Sequence, residues 1–130
     1  MRGESAKAYA YDERFEYNFV YTLKNSEELF RANKSYALIH LNKMDLHSTQ
    51  FHKTLFVVSL SYKDKKVAFF RTFPMEYNKY DRHNRWHELT YTIILPKIQQ
   101  KDFTLKFYIW NRSLDIFMVK DVQVKIFKTD

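Results

Sequence analysis

From Arg14 onward the chain reads as short apolar stretches with a period of two, separated by polar clusters, and helical spacing is almost absent. A period of two belongs to strands that bury one face. Phe15, Tyr17, Phe19 and Tyr21 fall on one side of the first stretch, and Glu16, Asn18, Val20 and Thr22 on the other. Tyr36 to Asn42 follows with Ala37, Ile39 and Leu41 inward. Leu55 to Tyr62 and Val67 to Phe73 read as a hairpin across Lys63-Asp64-Lys65-Lys66. Its second arm is apolar on both faces, so the expectation is a strand inside a sheet or beneath a loop. Trp86 to Leu95 places Leu89, Tyr91, Ile93 and Leu95 in register, Phe103 to Trp110 turns Phe103, Leu105, Phe107 and Ile109 inward, and Ile116 to Phe127 continues with Val122, Val124 and Ile126. Asn25 to Arg31 is the one stretch that suits a helical turn, with Ser26 as cap ahead of Glu27 and Glu28.

Seven or eight antiparallel strands in about 115 residues predict an all-β, two-sheet antiparallel β-sandwich, because a single sheet of that size leaves one apolar face wet. A jelly roll is the first choice and an immunoglobulin-like sandwich the alternative. The 130 residues include 18% aromatics, ample apolar area for one core. The reading is a flexible segment over residues 1–12 and a single sandwich domain over 13–130, with no repeat or linker. No apolar run reaches the 18 or so residues needed to span a bilayer, and the first residues lack the apolar core of a secretory signal. An extracytoplasmic place within a larger exported or membrane-attached protein stays open on these grounds.

Composition excludes several chemistries. Without cysteine there is no disulfide framework, Cys-type zinc finger or thiol catalysis. With Gly3 as the only glycine there is no phosphate-cradling glycine loop and no nucleophile elbow. No carboxylate pair sits in an apolar setting that would separate its two pKa values, so the domain is read as non-catalytic. Among the histidines, His83 and His87 are four apart, which would pair them for a metal only on a helix; here a loop runs into a strand.

The formal charge of +7 raises the question of polyanions. Residues 1–33 carry net −1 and residues 34–130 net +8, but the bases are scattered singly. A solvated basic surface is therefore expected, and nucleic acid is not the expected partner. The aromatic residues point elsewhere. Trp86, Tyr108 and Trp110 fall on the polar sides of their strands, and Tyr77, Tyr80, Arg82 and Asn84 lie in the long polar connection Met75 to Arg85. Exposed rings beside amides and cations are what a sugar-binding surface needs, because pyranose C–H faces stack on rings while polar groups bond the hydroxyls. Trp86, Trp110, Tyr77 and Tyr80 are the candidate platforms, with Arg82, Asn84 and Asn111 supplying hydrogen bonds.

Leu105-Lys106-Phe107-Tyr108-Ile109-Trp110-Asn111, a polar gap, and Met118-Val119-Lys120-Asp121-Val122-Gln123-Val124 together resemble the ending of galactose-binding-like jelly-roll domains, relatives of carbohydrate-binding modules. Arg31-Ala32-Asn33-Lys34-Ser35-Tyr36-Ala37 resembles their entry to a strand, and Leu55-Phe56-Val57-Val58-Ser59-Leu60 and Trp86 continue the order, so the similarity spans roughly residues 28 to 127. Lys120 stands where the family has the first of two aspartates, and Asn33 where it has glycine. The resemblance implies a jelly roll and a carbohydrate-binding accessory domain of a larger glycan-handling or cell-envelope protein. It also implies a structural calcium held by Asp121 together with Glu16. The alternative is a structural or protein-interaction sandwich without a sugar ligand, whose partner is a neighbouring domain.

Overall fold

The computed structural model describes residues 2–4, 9–11, 17–46, 54–64, 66–75, 85–111 and 117–129. These residues form β1 (Arg2–Glu4), β2 (Tyr9–Tyr11), β3 (Tyr17–Lys24), α1 (Glu27–Arg31), β4 (Lys34–Asp45), β5 (Leu55–Tyr62), β6 (Val67–Pro74), β7 (His87–Leu95), β8 (Phe103–Trp110) and β9 (Phe117–Thr129). Every strand pairing is antiparallel.

The topology is a rolled-up long hairpin. β5 and β6 form its tip; outward from them β4 pairs β7, β3 pairs β8, and β1 and β2 pair β9. Successive pairs go to alternate sheets, and two further pairings, β4 with β9 and β5 with β8, zip the pairs together. The result is a first sheet in the order β1-β9-β4-β7, with β2 also on β9, and a second in the order β3-β8-β5-β6. Nested pairing of this kind defines a jelly roll. The segment over residues 1–12 supplies β1 and β2, which lie along β9.

Alternation decides what each sheet buries. Ala37, Ile39 and Leu41 of β4 face the interior from the first sheet, and Phe56, Val58, Leu60, Leu105, Phe107 and Ile109 from the second, all essentially without solvent contact. β9 keeps its inward face only by changing phase. Phe117 and Val119 are buried, and so are Val122, Val124 and Ile126. The shift is a bulge between His40 and Asn42 in the β4–β9 register, with Asp121 in the left-handed region at φ 54°.

Asn25, at φ 53°, is the other left-handed residue among those described. Its N–H donates to the Phe103 carbonyl (3.1 Å) and its Oδ1 accepts from the Phe103 N–H (2.9 Å), so the side chain extends the β3–β8 ladder by one rung. Asn33, where the resemblance places a glycine, is not left-handed. α1 forms as the sequence suggests. The Ser26 Oγ accepts from the Leu29 N–H at 3.3 Å, Glu27 and Glu28 occupy the first turn, and buried Leu29 presses the helix onto the core.

β6 departs from the expectation. Among the described residues it is an edge strand, with Val67 and Phe70 exposed by 62% and 49%. The reason is the rolling order, which sets β5, not β6, against β8.

Cross-sheet contacts close the sandwich. The Tyr91 hydroxyl of β7 donates to the Pro74 carbonyl (3.0 Å). At one end the fully buried Lys43 donates to the Met75 carbonyl (3.0 Å), approaches Asp45 Oδ1 at 3.1 Å and lies 4.8 Å from the Phe117 ring centroid. The contact with Asp45 is electrostatic more than directional, since Oδ1 takes no aligned hydrogen bond. Beside it the Met75 N–H donates to the Thr54 carbonyl (3.0 Å), and the Thr54 hydroxyl donates to the buried Asn111 Oδ1 (3.2 Å).

Removing one partner of a buried ion pair strands the other. Asp45→Ala is expected to lower unfolding free energy in urea by about 3–5 kcal/mol, and the double change Asp45→Leu with Lys43→Met by clearly less. A larger loss in the double variant would contradict this account. Asp121→Gly is expected to leave stability unchanged or raise it by up to about 1 kcal/mol, while Asp121→Val lowers it by about 1–2 kcal/mol; thermal unfolding of the two variants checks the sign.

Candidate functional site

The register of the second sheet sets out its outward face row by row. Val20, Tyr108, Val57 and Thr72 form one row, and Thr22, Lys106, Ser59 and Phe70 the next. Lys24, Thr104, Ser61 and Val67 make the third. In the last two rows the middle strands contribute short hydroxylated side chains at Ser59, Ser61 and Thr104. Lys106 is the long exception on the middle strands, and the outer strands contribute Thr22, Lys24, Phe70 and Val67.

The consequence is an open depression of about 790 Å³ on this face. Ser59, Ser61 and Thr104 floor it, Val20 and Lys24 bound it on the β3 side, and Val67, Tyr62 and Lys63 bound it on the hairpin side. Lys106 and Tyr108 also line it, as does Asp102, in the segment between β7 and β8. That segment is pinned by the Gln99 N–H, which donates to the Tyr62 hydroxyl at 2.9 Å, so one wall of the depression is anchored. The volume falls within the range of small-ligand clefts, and hydroxyls, cations and the Tyr108 phenol in an open hollow suit a polar, hydroxyl-rich ligand.

The candidates read from sequence are distributed unevenly around this hollow. Trp110 is half-buried on the same outward face, two residues beyond Tyr108 along β8. Trp86 belongs to the other side of the molecule. Lys120, on the outward face of β9, sets its Nζ 4.1 Å from the Trp86 ring centroid. The two tryptophans therefore stand on opposite sheets and do not share a groove. Asn111 is buried and bonded to Thr54. Tyr77, Tyr80, Arg82 and Asn84 lie outside the described residues, as does His83.

Glu16 is also outside the described residues. Asp121 is exposed and its Oδ2 receives the Asn42 amide at 3.4 Å. A calcium ion needs six to eight oxygen ligands. The described surroundings of Asp121 offer an N–H donor and the adjoining Lys120, which does not fit that demand, and no group of three or more His, Asp or Glu converges among the described residues.

Sequence reasoning missed Lys24, Ser59, Ser61, Thr104 and Lys106. The available signal was the pair Ser59 and Ser61 at alternate positions of an otherwise apolar strand.

The first sheet carries a different feature. Ile94 of β7, Tyr36 of β4 and Phe127 of β9 lie side by side across its outward face. Tyr36 and Phe127 stack at 5.0 Å, and Ile94 is 78% exposed. No helix among the described residues is long and apolar enough to cross a membrane.

The sequence matches no protein-family model, and it matches no curated protein. Among solved structures it is similar to a structure of infectious bursal disease virus, Gx strain, with a TM-score of 0.57 and 9% identity, over 97% of this chain and 32% of that one. A VP2 subviral particle of the same virus gives a TM-score of 0.49 at 10% identity, over 97% and 32% of the two chains. The chain thus spans about a third of the length of the solved chains it is similar to. At such identity the likeness is one of fold alone, and the fold is a jelly-roll β-sandwich.

Proposed function

We propose that this domain is a non-catalytic carbohydrate-binding accessory module of a larger glycan-handling or cell-envelope protein, in the manner of the galactose-binding-like jelly rolls. The observation that carries the reading is the make-up of the hollow on the second sheet. Its Ser59, Ser61 and Thr104 hydroxyls, the Tyr108 phenol and its lysines match a ligand that is polar at its edges and apolar on its ring faces. Tyr108 supplies the ring platform at the hollow itself, and Trp110 lies next along the same face.

A second reading is favoured by the row Ile94, Tyr36 and Phe127 on the first sheet. Neighbouring apolar side chains left on a sheet face mark protein contacts, and there the domain packs against a neighbouring protein instead of holding a sugar.

Filling the hollow separates the two. Ser59→Phe puts a strand-favouring ring on the floor and is expected to abolish saccharide binding in calorimetry at millimolar ligand while leaving the melting temperature within a few degrees. If no saccharide binds the unaltered domain, the first reading fails. The second then requires concentration-dependent association in sedimentation that Ile94→Asp removes.

A further inference from the structure

We propose that the hollow on the second sheet selects saccharides bearing a negative charge on the ring, a carboxylate or a sulfate, in preference to neutral ones. The inference rests on the carbohydrate reading above and adds the class of sugar. Lys24 at the end of β3, Lys63 in the hairpin turn and Lys106 in the middle of β8 come from three separate elements and line the same hollow. Against them stands one lining carboxylate, Asp102, which leaves the lining formally at +2. Among the described residues none of the three lysines is held in an ion pair. Their ammonium groups are exposed donors above a floor of neutral hydroxyls.

The arrangement fits an anionic sugar better than either simpler ligand. A neutral saccharide's hydroxyl oxygens accept from an ammonium, but they gain much less from three clustered cations than a carboxylate or sulfate does. A nucleic-acid backbone repeats its charge every few ångströms and is met by cations strung along a track. Here they come from three separate elements to one hollow, and the remaining bases are dispersed over the chain. The hydroxyl floor matches the hydroxyl edges of a sugar, which a free inorganic anion lacks.

The test measures affinity of the whole chain for galacturonate oligosaccharides, for the same oligosaccharides fully methyl-esterified, and for a sulfated oligosaccharide of similar length. Esterification keeps the ring shape and removes the charge. The expected result is binding of the carboxylated or the sulfated ligand, with the esterified form roughly 10-fold weaker, and the comparison of the two acidic ligands identifies which anion is read. Each lysine is expected to contribute roughly 2–5-fold, so Lys24→Gln with Lys106→Gln weakens acidic binding by about an order of magnitude. Lys128→Gln, on the other sheet, leaves it unchanged. Raising salt weakens the acidic ligands and leaves the esterified one as it was.

Equal affinity for acidic and esterified forms, or acidic binding insensitive to the double lysine change, overturns the charge selection and leaves the carbohydrate reading standing. Failure of every saccharide overturns both. A single-stranded oligonucleotide binding as tightly as the acidic sugar, with a steep salt dependence, overturns the inference in favour of a general polyanion surface.

Discussion

The architecture depends on two apolar sheet faces finding each other. Each sheet buries only alternate residues, so neither is stable alone, and the middle strands β4 and β9 must oppose β5 and β8 for Ile39, Leu41, Val124, Phe56, Phe107 and Ile109 to lose water together. The nested pairing delivers this because each new pair of strands goes to the opposite sheet from the pair before. What fixes the relative position of the sheets is polar. Tyr91 reaches Pro74, and Lys43 reaches Met75, each crossing from one sheet to the strand end of the other. An apolar interface tolerates sliding; a buried ammonium held by a carbonyl, a carboxylate and an aromatic face does not.

A chain with a single glycine must meet its left-handed positions with other residues, and it uses the two side chains best suited to them. At Asn25 the amide both tolerates the conformation and replaces a missing strand partner. At Asp121 the left-handed residue forms the bulge that lets β9 change phase. The same Asp121 suggests a cation ligand when read as part of a family signature. In the folded chain it sits on the bulge, where a short polar side chain tolerates the left-handed conformation.

Much of the fold is legible in the sequence because burial there follows a period of two. β5 and β8 begin and end where alternation places them, and the helical turn after Ser26 follows from its cap and acidic first turn. The phase change was also visible, as the spacing of three between Val119 and Val122. The position of β6 was not, since an apolar strand at an edge and one inside a sheet carry the same residues. The candidate site was less legible still. Trp86 and Trp110 share an exposed parity on their own strands, but parity does not say which sheet a strand joins, and the rolling order sets them on opposite faces.

The hollow itself arises from an inversion of the usual economy of a sheet. Central strands ordinarily carry the bulky β-branched and aromatic residues, and edges carry charge or short strands that discourage pairing with other chains. On the outward face of the second sheet, three of the central positions, Ser59, Ser61 and Thr104, are short beside the bulkier Val57, Lys106 and Tyr108, while Val67 and Phe70 stand exposed on the edge strand. Serine gives up strand propensity and packing at the places where a sheet gains most from them. Bulky residues there would fill the surface level with the flanking walls and bring Lys24, Lys63 and Lys106 up onto a flat, fully hydrated face. Short ones leave the cations beside a recess, where an anionic ligand of the kind proposed would meet several of them at once. The local loss of sheet stability and the concave, cationic surface are thus one feature of the sequence.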